Sequence, residues 1–202
     1  MNGVVLISGN GSNLQSIIDK AKSIDLKICC VISNKADAFG LKRAAKVGFP
    51  CVALDESLFD SKLDFDQEIM KVIDNHQPEV IILAGYMRIL SVDFISKYFG
   101  KILNIHPSLL PKFPGLNTHQ RAIDAFEKKH GASVHFVTEE LDGGPVIAQE
   151  FVNIDSTDNA QTLAKKVLDK EHVLYPKTIH WYTQGRLKLV DKNTAMLDKK
   201  TL

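Results

Sequence analysis

Five short apolar runs, separated by stretches of helical period, constrain the fold of this chain more than any other feature. They occupy residues 3–8, 26–32, 50–54, 79–85 and 102–106. Val4-Val5-Leu6-Ile7 and Val80-Ile81-Ile82-Leu83-Ala84 are apolar at consecutive positions, the pattern of a strand covered on both faces. Between the runs, Leu14, Ile17, Ile18 and Ala21 recur at helical spacing, as do Leu41, Ala44 and Ala45, and then Phe65, Ile69, Val72 and Ile73. Gln77-Pro78 ends the third helical stretch, and Ser91 is a good N-cap for a fourth over 91–98. Strands alternating with helices at this pace predict a parallel sheet with helices on both faces.

Beyond Pro107 the pattern changes. Residues 118–129 read as a helix, 132–137 alternate as a half-buried strand, and Glu140-Leu141-Asp142-Gly143-Gly144 is a turn. Residues 145–152 form a strand that can pair antiparallel across the glycines. A long helix starts near Asp158, with a kink expected at Pro176. A short strand over 187–190 and a frayed last dozen residues complete the reading. The expected fold is therefore α/β: a Rossmann-like, mostly parallel sheet with helices on both faces and an antiparallel C-terminal extension. No linker or repeat interrupts it. One domain is expected over residues 1–202, with a first half of about 1–100 and a second of about 101–190.

Net charge is +1, so there is no general electrostatic case for nucleic acid or an anionic membrane. No apolar run approaches the ~18 residues of a membrane span, and residues 4–7 are too short for a signal peptide. Cys29, Cys30 and Cys51 are few, odd in number and without metal spacing. They read as buried or half-buried thiols in a reducing compartment. The seven histidines lack any ligand-like spacing, so no metal is expected.

Gly9-Asn10-Gly11-Ser12-Asn13 joins the first strand to the first helix. Backbone N–H groups at such a turn can hold an anion. A dinucleotide is excluded, because Leu14 stands where the third glycine belongs and no acid ends the second strand at Ser33-Asn34-Lys35. A single phosphate group fits better, beside the alternative of a tight turn that binds nothing. At the fifth strand, Asn104 and His106 are two apart and share a face. His106 can move a proton near neutral pH, and Asn104 can donate to an oxygen that becomes negative. Asp142, in its double-glycine turn, could reach the same edge and favour the imidazolium. Such a trio suits direct attack of an amine on a carbonyl. Ser108 and Ser133 lack a nucleophile elbow. The plainer alternatives are a surface histidine, an asparagine serving the backbone and an aspartate serving a hairpin.

Four segments, residues 7–14, 84–90, 104–111 and 140–145, together resemble the folate-dependent phosphoribosylglycinamide formyltransferases. The resemblance runs from Val4 to about Leu189. It implies that 10-formyltetrahydrofolate, as co-substrate, gives its formyl group to the amine of phosphoribosylglycinamide, a step of purine biosynthesis, with no metal and no nicotinamide. Gly11, Ser12 and Asn13, with Leu14 and Gln15, would bind the phosphorylated substrate, and Glu171 would meet its ribose beside Lys170. Met87, Arg88, Ile89, Leu90, Asn104, Thr138, Glu139, Glu140, Leu141 and Asp142 would line the folate site. Asn104 would steady the formyl oxygen, His106 donate the proton, and Asp142 support His106. Lys62 stands where the family carries arginine near the folate, turning a bidentate contact into a point charge. The family and the proline-dense loop imply a cis Leu110–Pro111 bond. A monomer or weak homodimer acting on small molecules in the cytoplasm is expected. The alternatives are formyltetrahydrofolate hydrolysis, methionyl-tRNA formylation and a non-catalytic ligand-binding module. The first two would go with additional domains, which are not expected here.

Overall fold

The computed structural model describes residues 1–202 and divides into two compact units, Met1–Leu103 and Asn104–Leu202. In the first, the strands are β1 (Asn2–Ile7), β2 (Lys27–Ser33), β3 (Cys51–Ala53) and β4 (Val80–Leu83). The helices are α1 (Ser12–Lys20), α2 (Phe39–Lys46), α3 (Lys62–Asn75) and α4 (Val92–Lys97). β1 pairs in parallel with β2 and β4, and β2 in parallel with β3. Strand β1 thus lies where the strand order turns back, the point at which open parallel sheets bind ligands. Val4, Val5, Leu6 and Ile7 are wholly buried, as are Val80, Ile81 and Ile82. Each such side chain contributes about 1.5–3 kcal/mol of burial. Ser61 and Ser91 cap α3 and α4 by accepting the N–H of Asp64 and Phe94.

The fifth strand, β5 (Ile102–His106), carries the chain into the second unit. There α5 (Thr118–Asp124), β6 (Lys129–Phe136), β7 (Val146–Asn153) and α6 (Ala160–Thr183) follow. The seven strands hydrogen-bond in the order β3-β2-β1-β4-β5-β6-β7, with β6 and β7 antiparallel. The mostly parallel sheet with an antiparallel extension is as expected. The Leu110–Pro111 bond is cis, also as expected.

Several local expectations are corrected. Helix α5 stops at Asp124 rather than reaching 129, because Phe126 turns to φ +54° and Lys129 already belongs to β6. Strand β6 is buried from His130 to Phe136 rather than half-buried, the pattern of a strand covered on both faces. The alternation of outward and inward residues belongs instead to β7, the edge strand. Cys51 is exposed, not buried. The C-terminal residues are not frayed. β8 (Leu187–Asp191), β9 (Thr194–Leu197) and β10 (Lys200–Thr201) make a separate antiparallel sheet. Tight turns hold it: Asp191 accepts the N–H of Asn193, and Asp198 and Lys199 both take positive φ. Arg186 forks onto Asp198 at 2.8 and 2.7 Å. No helix is long and apolar enough to cross a membrane.

Helix α6 begins in a reciprocal cap. The Asn159 side chain accepts the N–H of Gln161 and Thr162, and the Asn159 N–H donates to Thr162 Oγ1. Asn159→Ala should cost about 1 kcal/mol of stability, read as a lowered urea midpoint at unchanged slope.

Candidate active site

The end of β5 and its flanking loops carry a connected polar cluster inside the second unit. His106 is buried, and both of its ring nitrogens meet acceptors. Nε2 donates to the Phe113 carbonyl at 2.9 Å, and Nδ1 lies 3.3 Å from Asp142 Oδ2. Asp142 in turn accepts the Gly115 N–H at 2.8 Å. Its other oxygen is 3.6 Å from His135 Nε2. Asn104 Nδ2 sits 3.0 Å from that same His135 nitrogen. His135 Nδ1 faces the Phe136 carbonyl at 2.9 Å, which can only accept. The His135 proton therefore belongs on Nδ1, leaving Nε2 as the acceptor for one Asn104 N–H. The second Asn104 N–H stays available for another acceptor.

Sequence reasoning brought Asn104, His106 and Asp142 forward, and these three do meet. It missed His135, which joins Asn104 to Asp142. The available signal was a histidine and a serine, His135 and Ser133, set into an otherwise apolar strand. It also missed Gly115 and Phe113, which act only through backbone groups.

The proline loop that shapes this cluster is anchored from behind. Ser133 Oγ donates to the Ser108 carbonyl and accepts the Leu110 N–H. Gln149 Nε2 donates to the Leu110 carbonyl and to Ser133 Oγ. Thr118 Oγ1 donates to the Pro107 carbonyl. Phe113 and Asp142, the two partners of His106, hold φ of +56° and +52°. Non-glycine residues rarely adopt that region, and such positions persist only when the surroundings fix them.

Burial pushes the His106 imidazole below its ordinary pKa, and the Phe113 carbonyl and Asp142 carboxylate pull it back only in part. The sequence led us to expect an imidazolium. Asp142 does act in that direction, and the desolvation of the ring acts against it. Burial also opposes the charge on Asp142. The Gly115 N–H and His106 act against it and hold that carboxyl below the usual range.

Of the other residues expected in this unit, Thr138 is buried and Glu139, Glu140 and Leu141 are exposed, in the turn that carries Asp142. Glu171 is buried in α6 and Lys170 half-buried beside it.

In the first unit, Gly11 caps α1 with φ +74°, a conformation suited to glycine. Asn13 and Leu14 are buried, while Ser12 and Gln15 are half-buried. The loop after β4 is tied to the end of β1. Ser8 N–H donates to the Gly85 carbonyl, and the Met87 N–H donates to Ser8 Oγ. Ser8 Oγ donates at 2.6 Å to Asn34 at the end of β2. In that loop Met87 and Ile89 expose their side chains and Leu90 is buried. The Arg88 guanidinium is taken up by Glu56 and Asp66 over the Phe65 ring. Lys62 is exposed at the start of α3. No group of three or more His, Cys, Asp or Glu is placed to hold a metal ion.

Residues 1–179 match the formyl transferase family. The phosphoribosylglycinamide formyltransferase of Escherichia coli K12 is 52% identical over 204 residues, spanning 100% of this chain and 96% of that protein. The human trifunctional purine biosynthetic protein adenosine-3 is 41% identical over 187 residues, spanning 92% of this chain and 18% of that protein. The solved phosphoribosylglycinamide formyltransferase of Coxiella burnetii superposes with a TM-score of 0.96 at 46% identity, covering 100% of this chain and 95% of that one. The chain belongs to the formyl transferase family.

Proposed function

We propose that this chain transfers the formyl group of 10-formyltetrahydrofolate to the amine of phosphoribosylglycinamide, in purine biosynthesis. The observation that carries this reading is the cluster in which Asp142 meets both His106 and His135, while Asn104 is held by His135. Similarity over the whole length to the Escherichia coli enzyme supports the choice of substrates. The protein acts on small molecules in the cytoplasm, as a monomer or weak homodimer, without a metal or nicotinamide.

The roles follow from the chemistry. The amine nitrogen bonds to the formyl carbon, and the carbonyl electrons move onto oxygen. The free Asn104 N–H donates to that oxyanion, a contact strongest where the charge develops. The amine nitrogen then loses a proton to His106. Its Nε2–H is held by the Phe113 carbonyl, so the arriving proton enters at Nδ1, facing Asp142. From Nδ1 it passes to N10 of the folate as the bond from N10 to carbon breaks and the carbonyl reforms. The adjacent carboxylate stabilises the imidazolium that carries the proton.

Gly11, Ser12 and Asn13 take the phosphate on backbone N–H groups at the start of α1, with Leu14 and Gln15 continuing the turn. Lys170 and Glu171 serve the ribose. Met87, Arg88, Ile89 and Leu90 serve the folate, as do Thr138, Glu139, Glu140 and Leu141, with Lys62 toward its tail. Met87 and Ile89 offer apolar surface to the pterin. Arg88 contributes mainly through its backbone, because its guanidinium is already paired.

The purified protein should release tetrahydrofolate from 10-formyltetrahydrofolate only when phosphoribosylglycinamide is present. Release without the amine would mark a hydrolase instead. His106→Ala should lower kcat by roughly 10²–10⁴, and near-normal turnover would exclude the proton-transfer role. The imidazole of His106 should titrate below the usual histidine midpoint. Asp142→Asn removes the carboxylate that raises this pKa, so the midpoint should fall further. NMR titration of the ring checks both directions.

A further inference from the structure

A loop that presents N–H groups to an anion must turn its carbonyls the other way, and those carbonyls need donors of their own. In the first unit, helix α2 supplies them. The Gly9 carbonyl accepts the Gly40 N–H at 3.0 Å. The Asn10 carbonyl accepts Arg43 Nε–H at 2.9 Å, and Asn10 Oδ1 accepts Arg43 Nη2–H at 2.8 Å. Arg43 Nη1 also reaches Gln15 Oε1 at 3.4 Å. The guanidinium lies over the Phe39 ring, 4.9 Å from its centroid, which fixes the plane of the fork. The two backbones touch. A Cβ added to Gly11 would lie 2.6 Å from the Gly40 Cα, and one added to Gly40 would lie 2.5 Å from Ile7 Cδ1 and 3.2 Å from the Gly11 Cα.

We propose that Arg43 is a positioning residue for the substrate phosphate: its fork on Asn10 holds the Gly9–Asn13 loop with its carbonyls toward α2 and the amides of Gly11 and Ser12 toward the anion. The inference rests on the proposed function for the identity of the phosphorylated amine. The fork needs the planar guanidinium, since a lysine brings the charge but one flexible contact. The side chain acts through Asn10, so it sets affinity for the phosphate and leaves the chemistry at His106 alone.

The test compares wild-type, Arg43→Lys, Arg43→Ala and Asn10→Ala enzymes on phosphoribosylglycinamide and on its phosphate-free riboside. Arg43→Ala should raise KM for the phosphorylated amine about tenfold or more. Its kcat, its KM for the folate and its KM for the riboside should stay within about twofold of wild type. Arg43→Lys should recover only part of the loss, although the charge is kept. Asn10→Ala should give a smaller rise that does not add to that of Arg43→Ala. Amide NMR shifts of Gly11 and Ser12 on titration with inorganic phosphate should weaken in the same order, and this readout needs no turnover. Phosphate shifts in a wild-type protein that transfers no formyl group would defeat the proposed substrate and leave the role of Arg43 standing. The inference is overturned by an unchanged KM, by equal rises for both amines, or by complete recovery in Arg43→Lys. If Arg43→Ala melts well below wild type, Arg43→Lys and Asn10→Ala decide by the same criteria.

Discussion

A carboxylate held among two imidazoles and a backbone N–H is the contact on which this molecule's chemistry rests. Asp142 reaches His106 with one oxygen and His135 with the other, and the Gly115 N–H fixes its direction. Removed from water, it would be costly unless it were hydrogen-bonded. Its partners lower that cost and are oriented by it. His135 points its bare nitrogen at Asn104, which fixes which way the amide faces. The arrangement therefore sets two things at once, a hydrogen-bond donor aimed outward and a ring nitrogen able to take a proton.

Two opposed influences act on His106. Burial disfavours its charge, and Asp142 with the Phe113 carbonyl favours it. Neither alone suits a group that must both receive and release a proton within one turnover. A fully solvated ring would gain little from Asp142, and a buried ring without Asp142 would resist protonation. The backbone bends required at Phe113 and Asp142 are local costs of presenting both acceptors. The surrounding network of Ser133, Gln149 and Thr118 on the proline loop over-determines that geometry.

Much of the fold was legible because a parallel sheet leaves a strong trace. Val4–Ile7 and Val80–Leu83 are apolar without alternation, and only two-sided burial explains that. Strand β6 was misread for the opposite reason. Ser133 and His135 mimic an outward-facing polar alternation, yet both are buried and hydrogen-bonded. Of the C-terminal sheet only its first strand, over 187–190, was legible; the strands after it were missed because they are short and their turns depend on Asp191, Asp198 and Lys199, whose left-handed or side-chain-capped conformations carry little sequence signal. In the site, Asn104, His106 and Asp142 stood out by residue type. Phe113 and Gly115 could not, because they contribute a carbonyl and an N–H that every residue possesses. Arg43 was hidden as one basic residue on an amphipathic helix until its fork onto Asn10 was visible.

The tautomers of the two histidines test this account most directly. Long-range ¹H–¹⁵N spectra of histidine-labelled protein at neutral pH should place the His135 proton on Nδ1 and a proton on His106 Nε2. A His135 proton on Nε2, or a His106 ring that ignores the loss of Asp142 in both tautomer and titration, would contradict it.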